Sequence, residues 1–188
     1  LDYYGIKPPS QINIYQTTTP QLASSDNLIW VDKHLALEAD SPINGIVSFG
    51  DMLIAIDSDS LYLMSSAGEM LEKQDITTGL PAGLTAIAND GHIWLNADSG
   101  SYMADEDLIE WTQAMTFAPL PWVQPLMDTT NAAATIYFRD ISLLARSHNL
   151  TWERVLLDVH SGRFFGSLGP WFMDLVALAL IIMALSGV

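Results

Sequence analysis

The stretch that decides the fold is IVSFGDMLIAIDSDSLYLM, residues 46–64, because it recurs at residues 87–105 as IANDGHIWLNADSGSYMAD. Both copies alternate short β-branched or aromatic runs with Gly, Asp and Ser, which is the pattern of strands joined by tight turns. The copies begin 41 residues apart, and a weaker third copy with a shorter turn occupies residues 26–40. The repeat therefore predicts a mainly β domain built from antiparallel hairpins.

The length of the repeat indicates how the hairpins assemble. A period near 40 residues is typical of propeller blades, and DGHIWL at residues 90–95 resembles a blade strand. Two and a half units are too few to close a propeller, which needs at least four blades. We expect a small open sheet stack or sandwich of propeller-blade-like hairpins, with its edges covered by flanking segments or a partner. Ile54 and Leu95 should occupy equivalent inward-facing positions.

The β domain is expected to cover residues 21–142. An extended lead-in precedes it over residues 1–20, where Pro8 and Pro9 disfavour a helix. The proline-bearing stretch from Met115 to Asp128 is expected to be a linker, and Thr135 to Phe138 one further strand.

A short amphipathic helix is predicted within residues 149–162, from about Leu150 to His160. The residues Val155, Leu156 and Val159 recur at helical spacing and form its apolar face. Ser161 and Gly162 follow His160 and are expected to end the helix.

The C-terminal residues 164–188 form a nearly uninterrupted apolar run in which Asp174 is the one charged residue. A run of 18 or more apolar residues predicts a transmembrane helix. Pro170 suits the first helical turn, because its missing N–H has no partner there. Aromatic and basic residues mark the expected membrane interface; these are Arg163, Phe164, Phe165 and Trp171.

Composition excludes several classes of function. Residues 1–138 hold 18 Asp and Glu against three Lys, and such an acidic surface repels nucleic acid. The absence of cysteine excludes disulfides, iron–sulfur clusters and thiol catalysis. Because the sequence begins at Leu1 rather than Met, we expect that a signal peptide or another membrane helix can lie upstream.

No motif for catalysis is found, so the chain is predicted not to be an enzyme. The acidic turn DSDS at residues 57–60 fails the spacing of a calcium-binding loop, and a hairpin turn is the better interpretation. His34, His92 and His148 each lack a second ligand or base at a suitable spacing. No metal site is predicted.

The segment WERVLLDVHSGRFFG, residues 152–166, leads into the apolar run that ends with Ser186 and Gly187. It resembles the PepSY-associated transmembrane family of bacterial inner-membrane proteins. The opening LDYYGI, residues 1–6, resembles the segment that follows the first membrane helix in shorter members. The resemblance implies an inner-membrane protein whose bulk is periplasmic.

Two functions are predicted from these features. The first is a membrane-anchored periplasmic interaction or accessory subunit of a larger inner-membrane complex, such as a respiratory or redox complex, and it carries no cofactor of its own. Its expected partners are integral membrane subunits, a periplasmic carrier protein and the lipid bilayer. Its membrane helix would pack through a stripe with small side chains, formed by Asp174, Ala177, Ile181 and Ala184.

The alternative is a redox protein that binds haem b through His160 and passes electrons to a periplasmic metal or siderophore. The resemblance implies this alternative, because some relatives of that type bind haem through histidines. A haem with two axial imidazoles would need its second histidine from an upstream segment or another subunit.

Overall fold

The computed structural model describes residues 8–115, 119–126, 132–148, 150, 152–161 and 168–187. The described residues fall into two compact units, one that ends at Arg146 and one that begins at Ser147. The predicted fold class is confirmed in its coarse form, since the chain is mainly β and ends in helices.

The first unit holds three four-stranded antiparallel sheets, each a simple meander. The first sheet comprises β1 (Ile12–Gln16), β2 (Leu22–Ser25), β3 (Leu28–Val31) and β4 (His34–Glu38). The second comprises β5 (Gly45–Phe49), β6 (Met52–Ile56), β7 (Ser60–Ser65) and β8 (Met70–Asp75). The third comprises β9 (Ala86–Asn89), β10 (Ile93–Ala97), β11 (Gly100–Ala104) and β12 (Trp111–Gln113).

The second sheet lies between the other two, and its strands β5, β6 and β7 are largely buried on both faces. Ile46 and Leu53 pack in one hydrophobic cluster with Ile29 of the first sheet. Val47 and Ile54 point the other way, into a cluster shared with the third sheet. Successive residues of a strand alternate between faces, so β5 and β6, apolar at most positions, supply both interfaces.

The second and third sheets stack in the same sense, because their first strands, β5 and β9, run side by side in one direction. Asn44 donates a hydrogen bond from Nδ2 to the carbonyl of Leu84 at 2.7 Å, just before β5 and β9 begin. Near the other end of these strands, Asn89 donates from Nδ2 to the carbonyl of Ser48 at 2.8 Å. The two amide side chains thereby fix the second and third sheets together.

The inner edges of the stack are covered by the segment that follows the third sheet. Val123 donates its backbone N–H to the carbonyl of Ile87 in β9 at 2.9 Å, and Leu126 donates to Ile14 in β1 at 2.7 Å. An uncovered edge would leave a row of backbone groups free to pair with another chain. The flanking segment thus pairs with β9 and β1 at these two points.

The equivalence predicted for Ile54 and Leu95 is wrong. In the second sheet, residues 49–52 separate Ser48 from its partner Leu53, whereas in the third only residues 90–92 separate Asn89 from Ile93. The shorter hairpin changes the offset from 41 residues in the first strands to 40 from the second strands onward. A register shift of one residue moves every side chain of a strand to the opposite face of the sheet. The structural counterpart of Leu95 is therefore Ala55.

The strand predicted over Thr135 to Phe138 is also wrong, because these residues belong to helix α1 (Ala132–His148). Its buried residues, Ala134, Tyr137, Ile141 and Ala145, recur every three or four positions, which is the helical period. They pack against the outer face of the first sheet, in a cluster with Ile14, Ala23, Leu28 and Trp30.

The second unit contains α2 (Trp152–His160) and α3 (Gly169–Ser186). The amphipathic helix was predicted over nearly the same residues as α2. In α3, Pro170 lies in the first turn as expected, and Gly187 closes the helix in the left-handed conformation, with φ +74° and its N–H donated to Met183.

Candidate functional site

Helix α3 is long and apolar enough to cross a membrane. Its 18 residues correspond to about 27 Å at roughly 1.5 Å per residue, close to the thickness of a bilayer core. Only 6% of the helix is buried within the structure. Large apolar side chains are exposed on all of its sides, among them Trp171 at 76%, Leu175 at 66% and Ile182 at 58%. By length and composition, these properties are consistent with a membrane anchor.

The predicted packing stripe lies along one side of α3. Asp174, Ala177, Ile181 and Ala184 are separated by three or four residues, a spacing that aligns them on a helix. All four side chains are exposed in the structure. Ala179 is also exposed but lies about half a turn away from the stripe.

Of the predicted membrane-interface residues, Trp171 is in the first turn of α3 and exposed. Arg163, Phe164 and Phe165 lie outside the described residues. The structure therefore places one of these four residues at the expected end of the span.

His160 is the last residue of α2 and is exposed. The other histidines of the chain lie on different elements: His34 in β4, His92 between β9 and β10, and His148 at the end of α1. Within the described parts of the chain, no three or more His, Cys, Asp or Glu residues are grouped to hold a metal ion. His160 thus offers one imidazole at the end of the helix that precedes α3.

Asp57 of the DSDS turn is wholly buried, and its carboxylate is used inside the protein. One oxygen accepts the backbone N–H groups of Asp59 at 2.9 Å and Ser60 at 2.7 Å. The other accepts the Tyr62 hydroxyl at 2.9 Å and the Ser41 N–H at 3.2 Å. A carboxylate that accepts four hydrogen bonds clamps its turn to the neighbouring connection.

The Tyr62 hydroxyl continues this network. It accepts the backbone N–H of Asp40 at 3.1 Å, and burial raises the pKa of Tyr62. Lys73 lies over the Tyr62 ring, 5.6 Å from its centre, and donates to the Asp40 carboxylate. The hydrogen bond to Asp40 raises the pKa of Lys73. This lysine therefore stays protonated and tied to Asp40.

Other carboxylates cap turns in the same manner. Asp90 accepts the backbone N–H of His92 at 3.1 Å and the Trp94 indole N–H at 3.0 Å. The His92 hydrogen bond lowers the pKa of Asp90. Asp75 accepts from both the hydroxyl and the backbone of Thr77, and these hydrogen bonds lower its pKa. Much of the acidity of the β domain thus serves its turns.

Sequence reasoning missed two exposed apolar surfaces in the first unit. Met70 and Leu71 are 53% and 58% exposed on β8, the outer edge strand of the second sheet. Ile136 and Leu143 are about half exposed on α1, on the side opposite its buried residues. The seven-residue spacing of Ile136 and Leu143 could have revealed a second helix face had α1 been recognised.

Comparison of the chain with family models, with curated proteins and with solved structures gives no match. The likeness of the sheets to propeller blades is not confirmed, and the resemblance to the PepSY-associated family stays a prediction.

Proposed function

We propose that this chain is a membrane-anchored accessory subunit, whose acidic β domain docks onto a larger inner-membrane complex from the periplasmic side. The observation that carries the proposal is the exposed apolar surface on all sides of α3. Its partners would be integral membrane subunits that pack against the stripe defined by Asp174, Ala177, Ile181 and Ala184.

The energetics of α3 favour insertion. Each Leu, Ile, Phe or Val contributes roughly −0.3 to −0.6 kcal/mol to insertion when it lies near the helix centre, whereas a central Asp costs about 2.5–3.5 kcal/mol. Eight such residues give roughly −2 to −5 kcal/mol. Asp174 lies near the start of the helix, so it costs less than the central value. The eight residues are Phe172, Leu175, Val176, Leu178, Leu180, Ile181, Ile182 and Leu185.

The β domain supports a docking role because it has its own core and a strongly acidic surface. Its three hydrophobic clusters are built from residues between Ile12 and Ala145. The chain carries a formal net charge of −15, and such a charge attracts basic partners and is repelled by anionic headgroups. We further infer that the three sheets are blade-like modules, because each is a four-stranded meander and the second and third stack in the same sense.

The anchoring is tested by extracting membranes that carry the full chain with alkaline carbonate. We expect the native protein to stay with the membrane. Replacing both Leu178 and Ile181 by Arg costs about 5–7 kcal/mol at the helix centre, more than the insertion energy, and should release the protein. Replacing Met70 and Leu71 by Arg on the β domain is the matched control and should release nothing. Native protein that is extracted without detergent would contradict the proposal.

The side of the membrane is tested with a single introduced cysteine, since the chain contains none of its own. Asp51 is exposed between β5 and β6, so Asp51→Cys should react with a membrane-impermeant maleimide in intact spheroplasts. Labelling that requires lysis would place the β domain in the cytoplasm and overturn the periplasmic assignment.

A further inference from the structure

Helix α2 has an apolar stripe that the structure leaves largely uncovered. Leu156 is 64% exposed and Val159 41%, while Val155 is half-buried. These three positions fall on one face of the helix, as their spacing predicts. Leu157 is nearly as exposed as Leu156, at 60%, but points to the opposite side.

A helix of this kind needs a surface to lie on. α2 has nine residues, and isolated helices shorter than about 12–15 residues are marginal in water. Most of the stability of a short amphipathic helix comes from packing its apolar face. The exposed stripe of α2 therefore indicates an occupant.

Two observations identify that occupant as a lipid surface. Residues 161–168 connect α2 to α3, and eight residues reach at most about 28 Å even when fully extended. The end of α2 thus stays close to the end of the proposed span. In addition, residues 147–188 hold three Asp and Glu against two Arg, so this part of the chain lacks the large excess of acidity that repels anionic headgroups elsewhere.

We propose that α2 is an interfacial helix, which lies along the membrane surface with Val155, Leu156 and Val159 against the acyl chains and Leu157 in water. An amphipathic helix in this position buries its apolar face about 5–10 Å into the headgroup boundary. The inference rests on the proposed anchoring by α3.

Nitroxide labels on single cysteines test the position of α2 in the full chain, which has no cysteine of its own. The chain is reconstituted in phosphatidylcholine vesicles that contain some phosphatidylglycerol. Collisions are measured with oxygen, which concentrates in the bilayer, and with a water-soluble nickel chelate. The labelled variants are Leu156→Cys and Val159→Cys on the stripe, Leu157→Cys as the matched control, and Leu178→Cys in the middle of α3.

We expect oxygen to relax the labels at positions 156 and 159 more than nickel does, and the reverse at position 157. Equal nickel access at positions 156 and 157 would place α2 in water and overturn the inference. A label at position 156 that neither reagent reaches would mean that protein covers the stripe, which also overturns it.

The label at position 178 separates this inference from the proposed function. If oxygen reaches position 178 while nickel reaches position 156, α3 spans the membrane and only the interfacial helix is wrong. Nickel access at position 178 would overturn the anchoring itself.

Discussion

Ile54 and Leu95 are both completely buried in the same hydrophobic cluster, which fills the interface between the second and third sheets. This interface holds the third sheet in the stack through apolar contacts and the Asn44 and Asn89 hydrogen bonds. Truncation of either residue should therefore weaken the whole β domain rather than one strand.

We predict that Ile54→Ala and Leu95→Ala each lower the free energy of unfolding by about 2–5 kcal/mol, because each leaves a cavity in a packed core. The double variant should deviate from additivity by about 0.5–3 kcal/mol, since the two residues share that core. Urea unfolding of the full chain in detergent, followed by tryptophan fluorescence, measures these values. Met70→Ala on an exposed edge strand is the control and should change stability by no more than about 0.5 kcal/mol. Strict additivity would show that the two residues are not coupled.

The sequence was sufficient to predict those elements of the fold that have strong local patterns. The alternation of apolar runs with Gly and Asp turns identified the hairpins of the second and third sheets, and the apolar run identified α3. The weaker copy at residues 26–40 contains β3 and β4, although Asp32 and Lys33 adopt positive φ at their turn in place of glycine. Each of these predictions depended on residues close together in the chain.

The features that the sequence did not reveal depend on packing between distant segments. β1 lies inside the expected lead-in, and its strand conformation is completed by pairing with β2. Thr135 to Phe138 reads as a strand in a short window, but burial of Tyr137 and Ile141 against the first sheet requires a helix. The one-residue slip between the repeats arises because the hairpin between β9 and β10 is one residue shorter than the hairpin between β5 and β6. The alignment of the two repeat sequences did not show this difference.

Asp57 and Asp59 belong to the same turn but should respond very differently to substitution. Asp57→Ala removes the acceptor of four buried or half-buried donors. Because each unsatisfied donor costs about 1–3 kcal/mol, we expect the free energy of unfolding to fall by at least about 3 kcal/mol. Asp59→Asn on the exposed side of the turn should change stability by less than about 0.5 kcal/mol. Thermal unfolding of the two variants compares them. Similar losses would refute the clamp assigned to Asp57.

Tyr137 should make the stability of the β domain sensitive to alkaline pH. Burial raises its pKa from 10.0 to about 12, and its hydroxyl donates to the carbonyl of Gln21 at 3.2 Å. A group whose pKa is raised on folding stabilises the protein below its unfolded pKa and loses that contribution as the pH rises through its folded pKa. The contribution of Tyr137 is thus complete below pH 10 and lost towards pH 12.

The variant Tyr137→Phe isolates this contribution. At pH 8 it should be less stable than the native protein by about 0.5–1.5 kcal/mol, the usual net value of one hydrogen bond. The difference should shrink between pH 10 and 12, because Tyr137 ionises in the unfolded chain near pH 10 while the folded protein keeps its buried phenol protonated, which favours unfolding. The variant has no phenol at this position and escapes that loss. Unfolding in urea at each pH measures the difference. A deficit that does not change with pH would contradict this role for Tyr137.

The purified full chain is predicted to show no Soret band, and His160→Ala should leave its visible spectrum unchanged. Ligation of haem b by two imidazoles requires a second histidine facing the first across a bundle, and the sequence has no histidine from residue 161 to residue 188. A Soret band that disappears in His160→Ala would support the haem alternative. Absorption spectra of the protein purified in mild detergent decide between an accessory subunit without a cofactor and a haem-binding redox protein.

The stripe on α3 leads to the last prediction, which concerns association within the membrane. Asp174 lies about 6 Å along the helix axis from Pro170, at roughly 1.5 Å per residue, and an intramembrane carboxylate is stabilised by a polar partner. Ala177 and Ala184 allow a neighbouring helix to approach closely. Ala184→Leu should disrupt association through bulk, and Asp174→Leu should weaken it while leaving insertion intact. Ala179→Leu adds the same bulk on the opposite side of α3 and should have no effect on association.

The three variants are compared by how well each retains its partners during purification in mild detergent, with carbonate extraction as the check on insertion. If Ala179→Leu and Ala184→Leu retain partners equally well, the stripe does not face protein and α3 acts as an anchor alone.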